Sequence, residues 1–196
     1  VQARADILAA AEREFARRGY AGATSRDLAG AAGVSESLIY RHFGSKSGLF
    51  AAAVLAPFQG FLETFSETSA RYLAQPLPVE AMLRLFVSEL FDQLTVHRGA
   101  LRSFLAAVDD LDPATTGDFY RAFDEVMVRI SEVADTEARV RQRRSRGLGS
   151  EINARMVVGL VLSLVVLDDL LLPADDRRPG RDQLIEHICT ILRNGI

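Results

Sequence analysis

The sequence contains one cysteine, Cys189, and no tryptophan. A single thiol cannot close an intrachain disulfide, so packing must hold the fold, and a reducing cytosol suits it. The three histidines stand far apart, at His42, His97 and His187, and with one cysteine they spell out no metal-ligand spacing. No Gly-x-Gly-x-x-Gly or Walker loop occurs, which removes the commonest phosphate cradles. No metal, no cofactor and no catalytic constellation is therefore expected. Long hydrophobic runs are missing too. The longest uncharged apolar stretch, Met156–Leu167, is about half of the ~20 residues that span a bilayer, so no membrane partner is expected. Residues 1–18 are charged and amphipathic, unlike a secretory leader, which points to a cytoplasmic location. The chain opens on Val1 instead of Met, which leaves room for a longer native N-terminus.

Proline is scarce, with six in 196 residues, while Ala, Leu, Arg and Glu are frequent. That balance favours an all-α fold. Ile7, Leu8, Ala11 and Phe15 recur at helical spacing over residues 3–18, with Gly19 as the stop. Thr24 or Ser25 caps a short helix over 26–32 that Gly33 ends. Ser35 caps a second, 36–43, that Gly44 ends, and Ser45 caps a long helix from Lys46 to about residue 73, kinked near Pro57. Further helices are expected over 79–96, 99–110, 118–145, 151–172 and 181–193, about nine in all. Pro113 and Gly117 mark a break, Gln75–Pro78 forms a loop and Gly147–Ser150 a turn. The net charge of −3 does not announce nucleic acid. Residues 1–50 nevertheless hold seven basic and five acidic side chains (+2), against 16 and 21 (−5) in the remainder. This divides the chain into a head, 1–50, and a body, 51–196.

Two short helices joined by a glycine-containing turn are the layout of a helix-turn-helix, whose second helix enters the major groove. Phasing that second helix with Ile39 and Phe43 toward the core places Ser37, Leu38, Tyr40 and Arg41 outward. The set suits base edges. Arginine pairs with guanine, an apolar side chain meets the thymine methyl, and serine is an adaptable polar contact. Tyr40 and His42 can reach phosphates. The amide groups at the start of the helices beginning at Ser25 and Lys46 are phosphate sites on either flank, with the Thr24 and Ser25 hydroxyls and the Lys46 ammonium beside them.

The run Thr24-Ser-Arg-Asp-Leu-Ala-Gly-Ala-Ala-Gly-Val-Ser-Glu-Ser-Leu-Ile-Tyr-Arg-His-Phe-Gly-Ser-Lys-Ser-Gly-Leu-Phe50 closely resembles the signature of the tetracycline-repressor (TetR) family. The preceding helix with Phe15 and Gly19-Tyr20 fits as well, so the resemblance covers about residues 5–55. It implies an N-terminal three-helix DNA-binding head on a larger helical body that binds a small effector and dimerises through its last two helices. By resemblance Thr24, Tyr40, His42 and Lys46 contact phosphates, and Arg26, Glu36, Ser37, Leu38 and Arg41 can face bases, with Ser25 and Ser35 at the helix starts. Leucine at position 38, where the family often has threonine or another small residue, points to an altered base preference.

Eight of the eleven phenylalanines lie between Phe58 and Phe123. Phe61, Phe65, Phe86, Leu90, Phe104, Tyr120, Phe123 and Met127 are candidates to line an apolar effector pocket, or else ordinary core. The helix over 151–172 is apolar nearly all round, with Gly159 and Ser163 small enough to admit another helix. Val157, Leu160, Leu164 and Leu167, with Leu184, Ile188 and Ile191 of the final helix, are the expected dimer interface. Arg139, Arg141, Arg143, Arg144 and Arg146 read as a solvated helix end. These observations converge on a ligand-responsive, homodimeric transcriptional repressor that binds a palindromic DNA operator and is not an enzyme. The alternative is a helical small-molecule sensor or carrier whose head has lost DNA binding.

Overall fold

The computed structural model describes residues 2–74, 78–140 and 150–194. Among them are ten α-helices, one 3-10 turn and no strand: α1 (Gln2–Gly22), α2 (Ser25–Ala32), α3 (Glu36–Phe43), α4 (Lys46–Ala74), α5 (Val79–Val96), α6 (Arg98–Ala107), the turn Val108–Asp110, α7 (Pro113–Val140), α8 (Ser150–Val166), α9 (Asp168–Leu171) and α10 (Arg181–Asn194). The all-α expectation is met. Of the arginine run only Arg139 is described; Arg141, Arg143, Arg144 and Arg146 lie outside the described residues, as do most of the loop at 75–78 and the turn at 147–150.

Local chemistry accounts for most boundaries, and for the departures from expectation. Gly19 takes φ +70° and breaks α1 where a stop is expected, but another helical turn follows it. Pro113 stands on the far side of the expected break, which falls at Leu111 and Asp112. It is the first residue of α7, where a missing N–H costs nothing, and the helix continues through Gly117. The signal that sequence reading passed over is Asp112. Its carboxylate accepts from the Thr115 amide at 2.9 Å and the Thr115 hydroxyl at 2.8 Å, capping the helix. The single helix expected over 151–172 is two, because the backbone leaves helical geometry at Leu167. Asp168, next in sequence, is buried and accepts a 2.6 Å bond from Arg178 Nη2.

The Thr115 bonds hold the Asp112 carboxyl below its ordinary pKa of 3.8. A depressed pKa means that the cap stabilises the fold above that ordinary value and is lost as pH falls through the folded one. Asp112→Ala is expected to lower the thermal midpoint at pH 7 and to make the remaining midpoint less sensitive to acid below pH ~4. Thermal melts across pH 2–7 check this; parallel curves for the two proteins would contradict it.

The chain packs as two compact units. The first comprises Val1–Gln59 and Val96–Asp124, the second Gly60–Thr95 and Glu125–Ile196. The first unit holds the head together with α6. Its core is built on Ile7, Phe15, Leu28, Ile39, Leu49 and Phe50, all essentially inaccessible. A chain of ring contacts runs through it: Tyr20 to Phe50 (5.0 Å between centroids), Phe50 to Phe104 (5.8 Å), Phe104 to Phe119 (4.0 Å) and Phe119 to Phe123 (6.2 Å). Helices α1 and α6 approach closely at Gly99, where a Cβ would lie 2.9 Å from that of Ala16, and His97 Nδ1 bonds Glu12 beside this crossing. The second unit is centred on Leu62, Val87, Leu90, Met127, Val161, Ile185 and Ile188. Ion pairs between Arg84 and Glu186, and from Arg181 to Asp92 at 2.6 Å, tie α5 to α10 across its surface.

On length and composition one stretch, Lys46–Thr68, could cross a membrane. Its Leu49, Phe50, Val54, Phe58, Leu62 and Phe65 are buried against the protein itself, as in a core helix.

Candidate nucleic-acid interface

The reading helix α3 is fixed at both ends by its own sequence. Thr24 caps α2 reciprocally: its hydroxyl accepts from the Asp27 amide at 3.1 Å, while Asp27 Oδ2 accepts from the Thr24 amide at 3.2 Å. The Thr24 hydroxyl also donates to Asp27 Oδ2 at 2.7 Å, and this bond, with that from the Thr24 amide, holds the Asp27 carboxyl below its ordinary value; Arg18 at 3.2 Å adds to the effect. Gly33 turns the chain in the left-handed conformation, φ +65°, and its amide reaches back to the α2 carbonyls. Ser35 then caps α3 by accepting from the Leu38 amide at 3.3 Å, and Gly44, φ +73°, ends it with a 2.8 Å bond to the Tyr40 carbonyl.

Within this frame Ile39 is buried, and Ser37, Tyr40 (42% exposed) and Arg41 face outward. Leu38 is half-buried, so part of its side chain packs inward. Phe43 is half-buried instead of fully inside, with the Arg4 guanidinium 5.3 Å above its ring. Arg26, Glu36 and His42 are exposed. Arg26, Glu36 and Arg41 have no ion-pair partner among the described residues, which leaves their polar ends available to a ligand.

Two polar clamps flank the reading face. On one side the Ser25 and Tyr40 hydroxyls meet at 2.6 Å, joining the start of α2 to the middle of α3. On the other, Lys46 Nζ lies 4.4 Å from the centroid of the Tyr20 ring, a cation–π contact that holds the ammonium at the first turn of α4. Partial burial there pulls the Lys46 pKa below its ordinary value. The Tyr20 hydroxyl is 2.9 Å from Ser47 Oγ. Sequence reading placed Lys46 in the site but missed what positions it, Tyr20 and Ser47. The first-turn amides of α2 and α4 that the caps do not reach have no intrahelical acceptor and point the same partial positive charge at solvent.

Gly48 is a second omission. A Cβ built on it would overlap the Phe43 carbonyl oxygen, so only glycine lets α4 begin this close to the end of α3. Ser45 Oγ accepts the Gly48 amide at 2.9 Å at this junction. Gly48→Ala is expected to destabilise the first unit by about 1–3 kcal/mol and to displace α3 from Lys46. Denaturation midpoints measure the first effect; a variant as stable as the parent would show that the junction has slack.

A family model described as bacterial regulatory proteins of the tetR family matches residues 7–53, the stretch from the core of α1 to the first turns of α4. The chain carries a TetR-family head. Within it lie all the residues of the two clamps. The HTH-type transcriptional repressor AcnR of Corynebacterium efficiens is 45% identical over 67 residues, 34% of this chain and 36% of that protein. The HTH-type transcriptional regulator TtgR of Pseudomonas putida is 32% identical over 146 residues, 73% of this chain and 57% of its own length. The match thus spans about a third of one relative and little more than half of the other. In fold the likeness runs through the body as well. The transcriptional regulator FadR of Bacillus subtilis, solved in complex with stearoyl-CoA, superposes over 98% of both chains with a TM-score of 0.64 at 17% identity.

Outside the TetR-family match, the residues expected to line one pocket are divided between the two units. Phe104 and Phe123 belong to the ring chain of the first unit. Tyr120 is 56% exposed, and its ring meets Phe119 edge-on at 6.0 Å between centroids. Phe61, Phe65 and Phe86 form a separate cluster in the second unit, whose core also contains Leu90 and Met127. Of the expected interface residues, Val157, Leu160, Leu164, Leu184 and Ile191 are half-buried and Leu167 is exposed. Ile188 is 2% exposed, packed inside its own unit, and is not available to a partner.

Proposed function

We propose that this protein is a sequence-specific DNA-binding transcriptional regulator, a repressor that leaves its operator when a small effector with a largely apolar body binds. The observation that carries the reading is the α3 face: Ser37, Tyr40 and Arg41 presented outward on a helix anchored by Ile39 and flanked by the Ser25–Tyr40 and Tyr20–Lys46 clamps. A guanidinium with no ion-pair partner among the described residues, beside polar groups able to bond phosphate, is the chemistry of base reading with backbone positioning. The naming of AcnR and TtgR as transcriptional regulators supports it. So does the fold shared with FadR, a regulator that holds a ligand with a long apolar chain.

The active form is a homodimer on a palindromic operator. α8 is apolar on two opposite faces. Ala154, Val158, Val161 and Val165 are buried in the second unit, while Ile152, Met156 and Leu160 lie on the other side at helical spacing, exposed or half-exposed, and Leu167, just past the helix, is exposed. Leu170 and Leu171 of α9 extend that side. Two copies joined through this face would present two α3 helices to half-sites about 34–36 Å apart. The test is a gel-shift on DNA flanking the gene at low salt. A folded protein that retards none of these fragments would overturn the reading.

A further inference from the structure

Helix α5 carries Met82, Phe86 and Glu89 at i, i+4 and i+7, on one edge. The Phe86 ring meets Phe65 edge-on at 4.9 Å and Phe61 at 5.8 Å, and these two rings of α4 stack on each other at 5.8 Å. All three rings are buried in the second unit. One turn along the same edge, Glu89 Oε2 is sealed from solvent and accepts no hydrogen bond among the described residues. Burial raises the carboxyl above its ordinary value, and no cation among the described residues is near enough to oppose this. Arg84 of α5 is paired with Glu186, and Arg181 of α10 with Asp92 and Asp182. A sealed carboxylate oxygen without a partner is costly, and a leucine or methionine would fill the position without that cost. Aromatic faces beside it are themselves attractive to positive charge.

We infer that Glu89 and the Phe61–Phe65–Phe86 cluster form a binding site for a lipophilic organic cation, its apolar body against the rings and its charge on the Glu89 carboxylate. The proposal rests on the regulator reading only for its consequence, since such a cation would be the effector. The site also discriminates by charge: an anion of the same shape meets the carboxylate and is rejected.

Tetraphenylphosphonium and tetraphenylborate are nearly identical in shape and opposite in charge, so calorimetric titration of the full chain with each isolates the charge. The phosphonium is expected to bind and the borate to bind at least ~10-fold more weakly. Glu89→Gln keeps the volume and removes the charge. It should weaken the phosphonium about 30-fold, narrow the preference between the two ions, and melt no lower than the parent protein. Equal binding of the two ions, binding of neither, or an unchanged phosphonium affinity in Glu89→Gln would each overturn the proposal; the comparison of the two ions on the parent chain needs no variant. A gel-shift separates this from the broader reading. Operator retardation without cation binding removes the site and leaves the regulator. Cation binding without any retardation of DNA by the ligand-free protein does the reverse.

Discussion

The double variant Tyr40→Phe/Lys46→Met is expected to bind its operator about 10³-fold more weakly than the parent protein and to keep its fold. Only two polar ends are removed, the Tyr40 hydroxyl and the Lys46 ammonium, one at each clamp. A hydrogen bond to a charged acceptor contributes about 1.5–3 kcal/mol, and each head would lose one from each side of the groove. The losses fall on sequence-independent contacts, so affinity should drop almost uniformly across sequences. The dependence of log K on log salt should become shallower by about 0.9 for each lysine–phosphate pair that the substitution removes. Arg41→Ala should behave differently, costing about 1–3 kcal/mol at one base position and relaxing preference there. Fold is not at stake. Tyr40 is exposed and its partner Ser25 can bond water, and Lys46 gives up a cation–π interaction at a partly open site. Binding titrations at several salt concentrations give both slopes. A double variant that binds DNA as well as the parent would place the DNA surface elsewhere; if parent and variant alike fail to bind, the head is a structural remnant on a ligand-binding body.

The parts of this site that could be read from the sequence are those fixed by local chemistry. Thr24, Gly33, Ser35 and Gly44 act within four residues of what they cap, and the structure shows each bond where its residue type calls for one. Ile39 could be phased from helical periodicity for the same reason. What escaped was set by contacts distant along the chain. Tyr20 meets Lys46 and Ser47 across 26 and 27 residues, and nothing local distinguishes it from any surface tyrosine. Gly48 looks like an ordinary helical glycine until the Phe43 carbonyl is seen against it. The phenylalanines illustrate the limit best. Composition shows that they concentrate in the central helices, but not that Phe61, Phe65 and Phe86 close on one another while Phe104 and Phe123 join a chain leading back to Phe50. Division at residue 50 follows the motif; the compact units follow packing, which gathers 96–124 with the head. Glu89 shows the same limit from the other side. A glutamate on an amphipathic helix reads as solvated surface, and only the packed α5 reveals an oxygen with no hydrogen-bond partner among the described residues.

The face of α8 makes the second large prediction. Met156 and Leu167 are 56% and 43% exposed in the single chain, so a charge at either position meets water and should cost the isolated fold little. In a two-fold dimer built on this face, each substitution appears twice and is buried opposite its own copy. Met156→Glu/Leu167→Glu would then place four carboxylates in an apolar seam. With one unpaired buried charge costing about 3–5 kcal/mol, even partial burial weakens the dimer by well over 10³-fold. Gly159 gives an independent arm. Gly159 is exposed and a Cβ there meets nothing within 4 Å in the single chain, so Gly159→Leu should cost it little and raise helix propensity. Across a close helix–helix crossing the same side chain would wedge the copies apart. Sedimentation at micromolar concentration should show a dimer for the parent protein and monomers for both variants, with unfolding midpoints measured on the monomers remaining cooperative. Operator affinity should fall with the dimer, because one head reaches a single half-site and forgoes the benefit of linkage. Dimers that persist in both variants would move the interface off α8. The exposed apolar side of Met156, Leu167 and Leu170 would then need a different occupant.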